Sequence, residues 1–92
     1  MMMDISESSF GMVEKAGLVL VEFYTRRCRF CKKLGYILRE IDREDASMMI
    51  YTIDFQESEE LRNEFKVDVS PTILFFKEGQ VVDRIEGLKQ KL

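Results

Sequence analysis

Two cysteines three positions apart, Cys28 and Cys31, are the residues whose type and spacing most directly imply chemistry. They frame Arg29 and Phe30 as Cys-Arg-Phe-Cys. In the first turn of a helix, positions i and i+3 lie on one side, which brings two sulfurs close enough to bridge. A helix N-terminus also offers unpaired N–H groups and the positive end of the peptide dipole, and both favour a thiolate. A thiolate that attacks a disulfide, beside a second thiol that resolves the adduct, is what thiol–disulfide exchange requires.

The surroundings of the pair are unusual in charge. Arg26, Arg27, Arg29, Lys32 and Lys33 place five positive charges within residues 26–33, while the whole chain carries −3, leaving −8 on the remainder. Lys32 and Lys33 can be read as an ordinary solvated face. Arg27 and Arg29 adjoin Cys28 and are expected to lower its pKa. Glu22 is the second odd residue, an acid inside the apolar run LVLVEFY, six positions before Cys28. If buried without a partner it should have a raised pKa. The plainer alternative is a carboxylate that reaches solvent from a strand end.

Composition narrows the rest. At 92 residues, 46% hydrophobic and 34% charged, the chain is expected to form one globular domain over residues 1–92. It has no His, which excludes a Ser-His-Asp triad, a Cys-His pair and imidazole metal sites. Two Cys cannot fill a four-coordinate zinc site within one chain, so neither a metal nor a cofactor is expected. They are also too few for a disulfide-stapled secreted mini-protein. A pI of about 5.0 argues against general nucleic-acid binding. Residues 1–16 carry Asp4, Glu7 and Glu14 and show no leader pattern. The longest apolar run, residues 18–21, is far short of a membrane span. The expectation is a cytoplasmic monomer with no membrane or nucleic-acid partner. Met1, Met2 and Met3 are assigned no role.

The elements that would position the pair alternate in type. Residues 6–16 read as a short helix, with Ser6 as N-cap, Phe10 and Val13 inward and Gly17 as C-cap. Leu18–Tyr24 is a β-branched and aromatic run, expected as a buried central strand. From Cys28 the apolar period lengthens through Phe30, Leu34, Ile37, Leu38 and Ile41, giving an amphipathic helix over residues 28–43. Residues 48–53 form a second strand. Residues 58–65 form a short helix with Ser58 as N-cap and Glu59 and Glu60 in its first turn. Thr72–Lys77 and residues 80–85 form a hairpin about Glu78-Gly79. Residues 87–92 could begin a last helix. The order α-β-α-β-α-β-β implies a four-stranded mixed α/β sheet with helices on both faces, its first two strands parallel and its last two antiparallel.

In this arrangement the chain resembles the thioredoxin superfamily. The matching features are an acid in the central strand (LVLVEF), a Cys-x-x-Cys opening the next helix, and FKVDVSPT leading into the hairpin. The run from Pro71 to Gly79 (PTILFFKEG) and the later Gly87 continue the match over roughly residues 6–92. The Pro-Thr strand begins 40 positions after Cys31. The resemblance implies a thioredoxin-like three-layer sandwich in which the first strand is missing or vestigial and the last helix is cut to a few residues. It implies that Cys28 is the exposed nucleophile, Cys31 the buried resolving thiol and Pro71 a cis-proline against the disulfide; an ordinary trans turn proline is the plainer alternative. Ser70 would offer its backbone to an extended substrate and Gly87 would let that substrate approach. Glu22 stands where the family has a buried Asp that relays the proton of the resolving thiol. Arg27, Arg29 and Phe30 would line the substrate side.

The departures are also specific. The family's Trp-Cys-Gly-Pro-Cys is here Arg27-Cys28-Arg29-Phe30-Cys31. The dipeptide and the stretch from Tyr24 to Lys33 have a glutaredoxin look, but the Gly-Gly pair that glutaredoxins carry after the cis-proline strand is missing. The lysine partner of the buried acid is replaced by an apolar residue near Ile50. The kink proline of the active-site helix is absent, with Gly35 and Tyr36 in its place. The leading expectation is thiol–disulfide exchange with disulfide-containing proteins, drawing electrons from a thioredoxin-reductase-like or glutathione-type donor. Three other readings are a glutathione-dependent glutaredoxin-like reductase, a non-catalytic peptide-docking domain, and a metal shared by two chains through four thiolates.

Overall fold

Leu18–Tyr24 alternates its side chains between two covered faces, which is why its sequence is apolar throughout. Val19, Val21 and Phe23 point to one side, Leu20 and Glu22 to the other, and all five are buried. The computed structural model describes residues 2–15, 17–45 and 47–87, and the side chains of Glu14 and Lys15 lie outside that description. Its elements are β1 (Met2–Ile5), a 3₁₀ segment (Glu7–Lys15), β2 (Leu18–Tyr24), α1 (Arg29–Glu44), β3 (Met49–Asp54), α2 (Glu59–Phe65), β4 (Thr72–Lys77) and β5 (Gln80–Glu86). The strands form one sheet in the order β1-β3-β2-β4-β5. β3 is parallel to both β2 and β1, and β4 is antiparallel to both β2 and β5.

The expected α/β sandwich stands, but with five strands rather than four. The first strand, which the resemblance implies is missing or vestigial, is present as the four-residue β1. It pairs in parallel with β3, placing Asp4 beside Thr52 and Ile5 beside Ile53. Four residues of Met-Met-Asp-Ile carry little strand propensity of their own, so the pairing edge of β3 supplies what the local sequence does not.

The first helical segment is 3₁₀ rather than α. Phe10 and Val13, both buried, are three apart, which suits three residues per turn. Ser9 N–H donates to the Ser6 carbonyl at 3.0 Å, an i→i+3 bond. Gly17 takes no left-handed backbone conformation and instead accepts from the Glu78 amide at 2.8 Å. The hairpin turn has positive φ at Glu78 (52°) and Gly79 (83°), the type I′ signature.

Two faces of the sheet are covered. On one, the 3₁₀ segment and α2 bring Phe10 and Phe65 against Phe76, with ring centroids 5.5 to 5.8 Å apart. On the other, Leu34 and Leu38 of α1 pack on Leu20, Ile50 and Ile73. Among the described residues no helix is long and apolar enough to cross a membrane. The expected last helix falls on residues 88–92, which lie outside the described residues.

The ends of α2 are satisfied from a distance. Ser58 occupies the N-cap position, but its hydroxyl turns inward to the Asp54 carbonyl (2.6 Å). The Leu61 amide in the first turn is taken by the Glu7 carboxylate at 3.0 Å. At the other end Arg84 of β5 donates to the carbonyls of Phe65 (2.9 Å) and Lys66 (2.8 Å), while its Nε faces Glu86 at 2.9 Å. A charged donor on otherwise unpaired helix carbonyls should stabilise the fold. Arg84→Met keeps the aliphatic stem and removes the donors; it should cost about 1–2 kcal/mol, read as a lower urea midpoint at unchanged slope. An unchanged midpoint would show that these bonds are replaced by water without loss.

Candidate active site

Strand β2 ends at Tyr24, and the chain turns through Thr25, Arg26 and Arg27 into α1. The turn closes when the Cys28 amide donates to the Thr25 carbonyl at 3.3 Å. Cys28 is the N-cap of α1, with extended backbone (φ −99°, ψ 115°), and its Sγ accepts from the Cys31 amide at 3.0 Å. A sulfur thus stands where Ser or Asp usually caps a helix, facing the unpaired amides of the first turn. Cys28 and Cys31 are joined as a disulfide, their Cα atoms 5.1 Å apart. Cys28 is half-buried and Cys31 is 7% exposed, so the first sulfur is the one nearer to solvent.

The second wall comes from the segment before β4. The Ser70–Pro71 peptide bond is cis. Ser70 Oγ lies 3.6 Å from Cys31 Sγ, within hydrogen-bonding range for sulfur. The Thr72 hydroxyl ties the loop back to the Val69 carbonyl at 2.6 Å. Gly87 donates its amide to the Pro71 carbonyl (2.7 Å) and has φ of +62°. A side chain there would meet Val69 at ordinary contact distance, so the glycine serves its backbone conformation rather than a tight approach. Residues 28, 31, 70, 71 and 87, separated in sequence, therefore gather at one rim of the sheet.

Glu22 lies behind them. It is 2% exposed, on the α1 face of β2, and opens onto a cleft of about 580 Å³ that Cys31 also lines. One carboxylate oxygen, Oε2, has no hydrogen-bond partner. Its neighbours across the sheet are Thr52 in β3 and Ile73 in β4. Burial raises its pKa from the ordinary 4.5 to about 7, since removing the ion from water penalises the charged form. The alternative of a carboxylate reaching solvent is thereby set aside.

The remaining expected residues are less tied down. Arg27 and Arg29 are exposed and make no ion pair or hydrogen bond among the described residues; Phe30 is half-buried beside the pair. Arg26 faces Asp54 at 3.5 Å. Sequence reasoning missed Asp4, Tyr24 and Thr52, which share the cleft with Glu22. Asp4 Oδ1 accepts from the hydroxyls of Thr52 (2.7 Å) and Tyr24 (3.1 Å). Desolvation, then the Asp4 charge and hydrogen bond, push the Tyr24 phenol up to about 12. The signal available was the alternation of residues 49–54, which puts Thr52 on the face of Ile50.

A mixed sheet between helices, with a Cys-x-x-Cys at a helix N-terminus against a cis-proline loop, defines a dithiol–disulfide protein of the thioredoxin-like class. The thioredoxin family profile matches residues 2–92, and the chain belongs to that family. It is 32% identical over 87 residues to the thioredoxin of Chlamydia caviae, covering 95% of this chain and 85% of that one. It is 33% identical over 87 residues to the thioredoxin of Bacillus subtilis, covering 94% and 84%. The solved structure of Malassezia sympodialis thioredoxin superposes with a TM-score of 0.82 at 28% identity, covering 94% of this chain and 80% of that one. The protein is a thiol–disulfide oxidoreductase of the protein-disulfide reductase type.

The raised pKa of Glu22 has a measurable consequence. The folded state binds this proton more tightly than the unfolded chain does. The contribution of Glu22 to stability is therefore most favourable below about pH 4.5, falls as pH rises towards about 7 and levels off above. Glu22→Gln should remove this fall: near wild type at pH 4, and more stable by about 2–3 kcal/mol at pH 8 in urea unfolding. Parallel curves for the two proteins across that range would contradict the burial argument.

Proposed function

We propose that Cys28 is the attacking thiolate and Cys31 the resolving thiol of a reductase acting on disulfide-containing proteins. The observation that carries this is the Cys31 amide donating to the Cys28 sulfur at the α1 N-cap, on the more exposed of the two cysteines. In the reduced protein the same amide and the helix dipole favour negative charge on Cys28. The thiolate attacks one sulfur of the target; the target S–S bond breaks and one target thiolate leaves. Cys31 then loses its proton and attacks Cys28 Sγ. The mixed disulfide breaks, the second target thiol is released, and the Cys28–Cys31 disulfide forms. Two electrons and two protons from a reductase or a glutathione-type thiol restore the dithiol.

Glu22, buried, poised near neutrality and lining the same cleft as Cys31, accepts the Cys31 proton, directly or through water in that cleft. Ser70 and Pro71 present the loop backbone to an extended substrate segment, and Gly87 steadies that loop by donating its amide to the Pro71 carbonyl. Arg27, Arg29 and Phe30 border the substrate side. The cluster in residues 26–33 favours acidic targets or an anionic thiol donor through electrostatic steering. The protein acts as a monomer in the cytoplasm, a reading supported by its mildly acidic composition.

Disulfide reduction of a generic protein substrate tests the cysteine assignment. Cys28→Ser should have no activity, and Cys31→Ser should trap a mixed disulfide with the target. Trapping by Cys28→Ser instead would reverse the roles. Raising salt should slow reduction of an acidic target, because exposed charges are screened within about 8–10 Å at ordinary ionic strength. An unchanged rate would remove the steering argument.

A further inference from the structure

The unpartnered oxygen of Glu22 belongs to a residue whose cross-strand register partner carries a hydroxyl that could satisfy it. Thr52 is the register partner of Glu22 across the β2–β3 pair, on the same face, and both line the cleft. Parallel neighbours on one face are close enough for a Thr hydroxyl to reach a Glu carboxylate. That hydroxyl points the other way. It donates to Asp4 Oδ1 at 2.7 Å, the shortest of the bonds that tie the face of β1 to the cleft. Asp4 also accepts from Tyr24 at 3.1 Å, so one edge-strand carboxylate holds two donors of the cleft.

We propose that Asp4 is a positioning residue for Glu22: by holding the Thr52 hydroxyl hydrogen it withholds from the Glu22 carboxylate a hydrogen bond that would stabilise its charge. A hydrogen bond to the charged form of an acid lowers its pKa, so its removal to another acceptor has the opposite effect. The other charged or titratable groups facing the cleft are Tyr24 from β2, Arg26 from the following turn, and Cys31, Lys32, Tyr36 and Arg39 from α1. Arg26 is engaged with Asp54, and the Arg39 guanidinium lies 5.7 Å from the Tyr36 ring centroid. From β4 the facing side chain is Ile73, which is apolar. The bearing of this arrangement on catalysis rests on the proposed role of Glu22 as proton acceptor for Cys31.

The test is a carboxyl-carbon NMR titration of Glu22 in the oxidised protein, where neither cysteine titrates. Asp4 is on an exposed edge strand and Thr52→Val is nearly isosteric, so the variants should fold. Asp4→Ala should lower the Glu22 midpoint by about one unit or more, as the freed Thr52 hydroxyl turns to it. Thr52→Val alone should leave the midpoint where it is, because its hydroxyl is not donating to Glu22. Adding Thr52→Val to Asp4→Ala should return most of the shift. Asp4→Asn, which keeps an acceptor for Thr52, should shift less than Asp4→Ala. Equal shifts in Asp4→Asn and Asp4→Ala, with no recovery on adding Thr52→Val, would overturn the proposal in favour of charge alone. No shift in any variant would overturn it outright. The pH profile of mixed-disulfide resolution should follow the NMR midpoint. If the midpoint moves and the profile does not, the positioning stands and the relay role of Glu22 falls.

Discussion

The Cys31 amide donates to the Cys28 sulfur across the first turn of α1, and the architecture of the protein serves that contact. A helix begins with amides that have no partner within it. Here they meet a sulfur carried out of the sheet by the end of β2. The strand must be central for its end to lie at the rim, and the helix must pack on the strand for its first turn to face outward. Leu34 and Leu38 against Leu20, Ile50 and Ile73 achieve the second; pairing of β2 with both β3 and β4 achieves the first. The cis-proline loop then closes the far side, bringing the Ser70 hydroxyl to the buried sulfur.

Glu22 is where stability yields to chemistry. Leu20, Ile50 and Ile73 on the α1 face are apolar, the hydroxyl beside it across β3 belongs to Thr52, and an apolar residue at position 22 would pack as Leu20 does. The protein instead holds a carboxyl with an unpaired oxygen, two residues along the strand and on the same face. Burial without a partner disfavours ionisation, which yields an acid that can exchange protons near neutral pH. The sequence has no His, and the burial of an ordinary carboxyl brings a group into the same titration range.

Much of this was legible in the sequence, for identifiable reasons. The β2 run, the α1 period and the Glu78-Gly79 turn are locally determined, and their observed bounds differ from expectation by a residue or less. The Cys-Arg-Phe-Cys placement followed from the change of period at Cys28. What was not legible depends on distant pairing. Met2–Ile5 becomes a strand through β3 and carries no local signal. Ser58 looked like a helix cap, yet Glu7, 54 residues from Leu61, takes the amide instead. The partner of Asp4 likewise comes from Thr52, 48 positions away, so the cleft behind Cys31 could not be seen without the fold.

The most direct test of the account is the pH dependence of Cys28 alkylation in the reduced protein. If the helix N-terminus and the Cys31 amide activate this sulfur, Cys28 should react with a midpoint clearly below the free-thiol value of about 8.5, while Cys31 reacts only at higher pH. Alkylation of Cys28 with a midpoint at or above that value would contradict it.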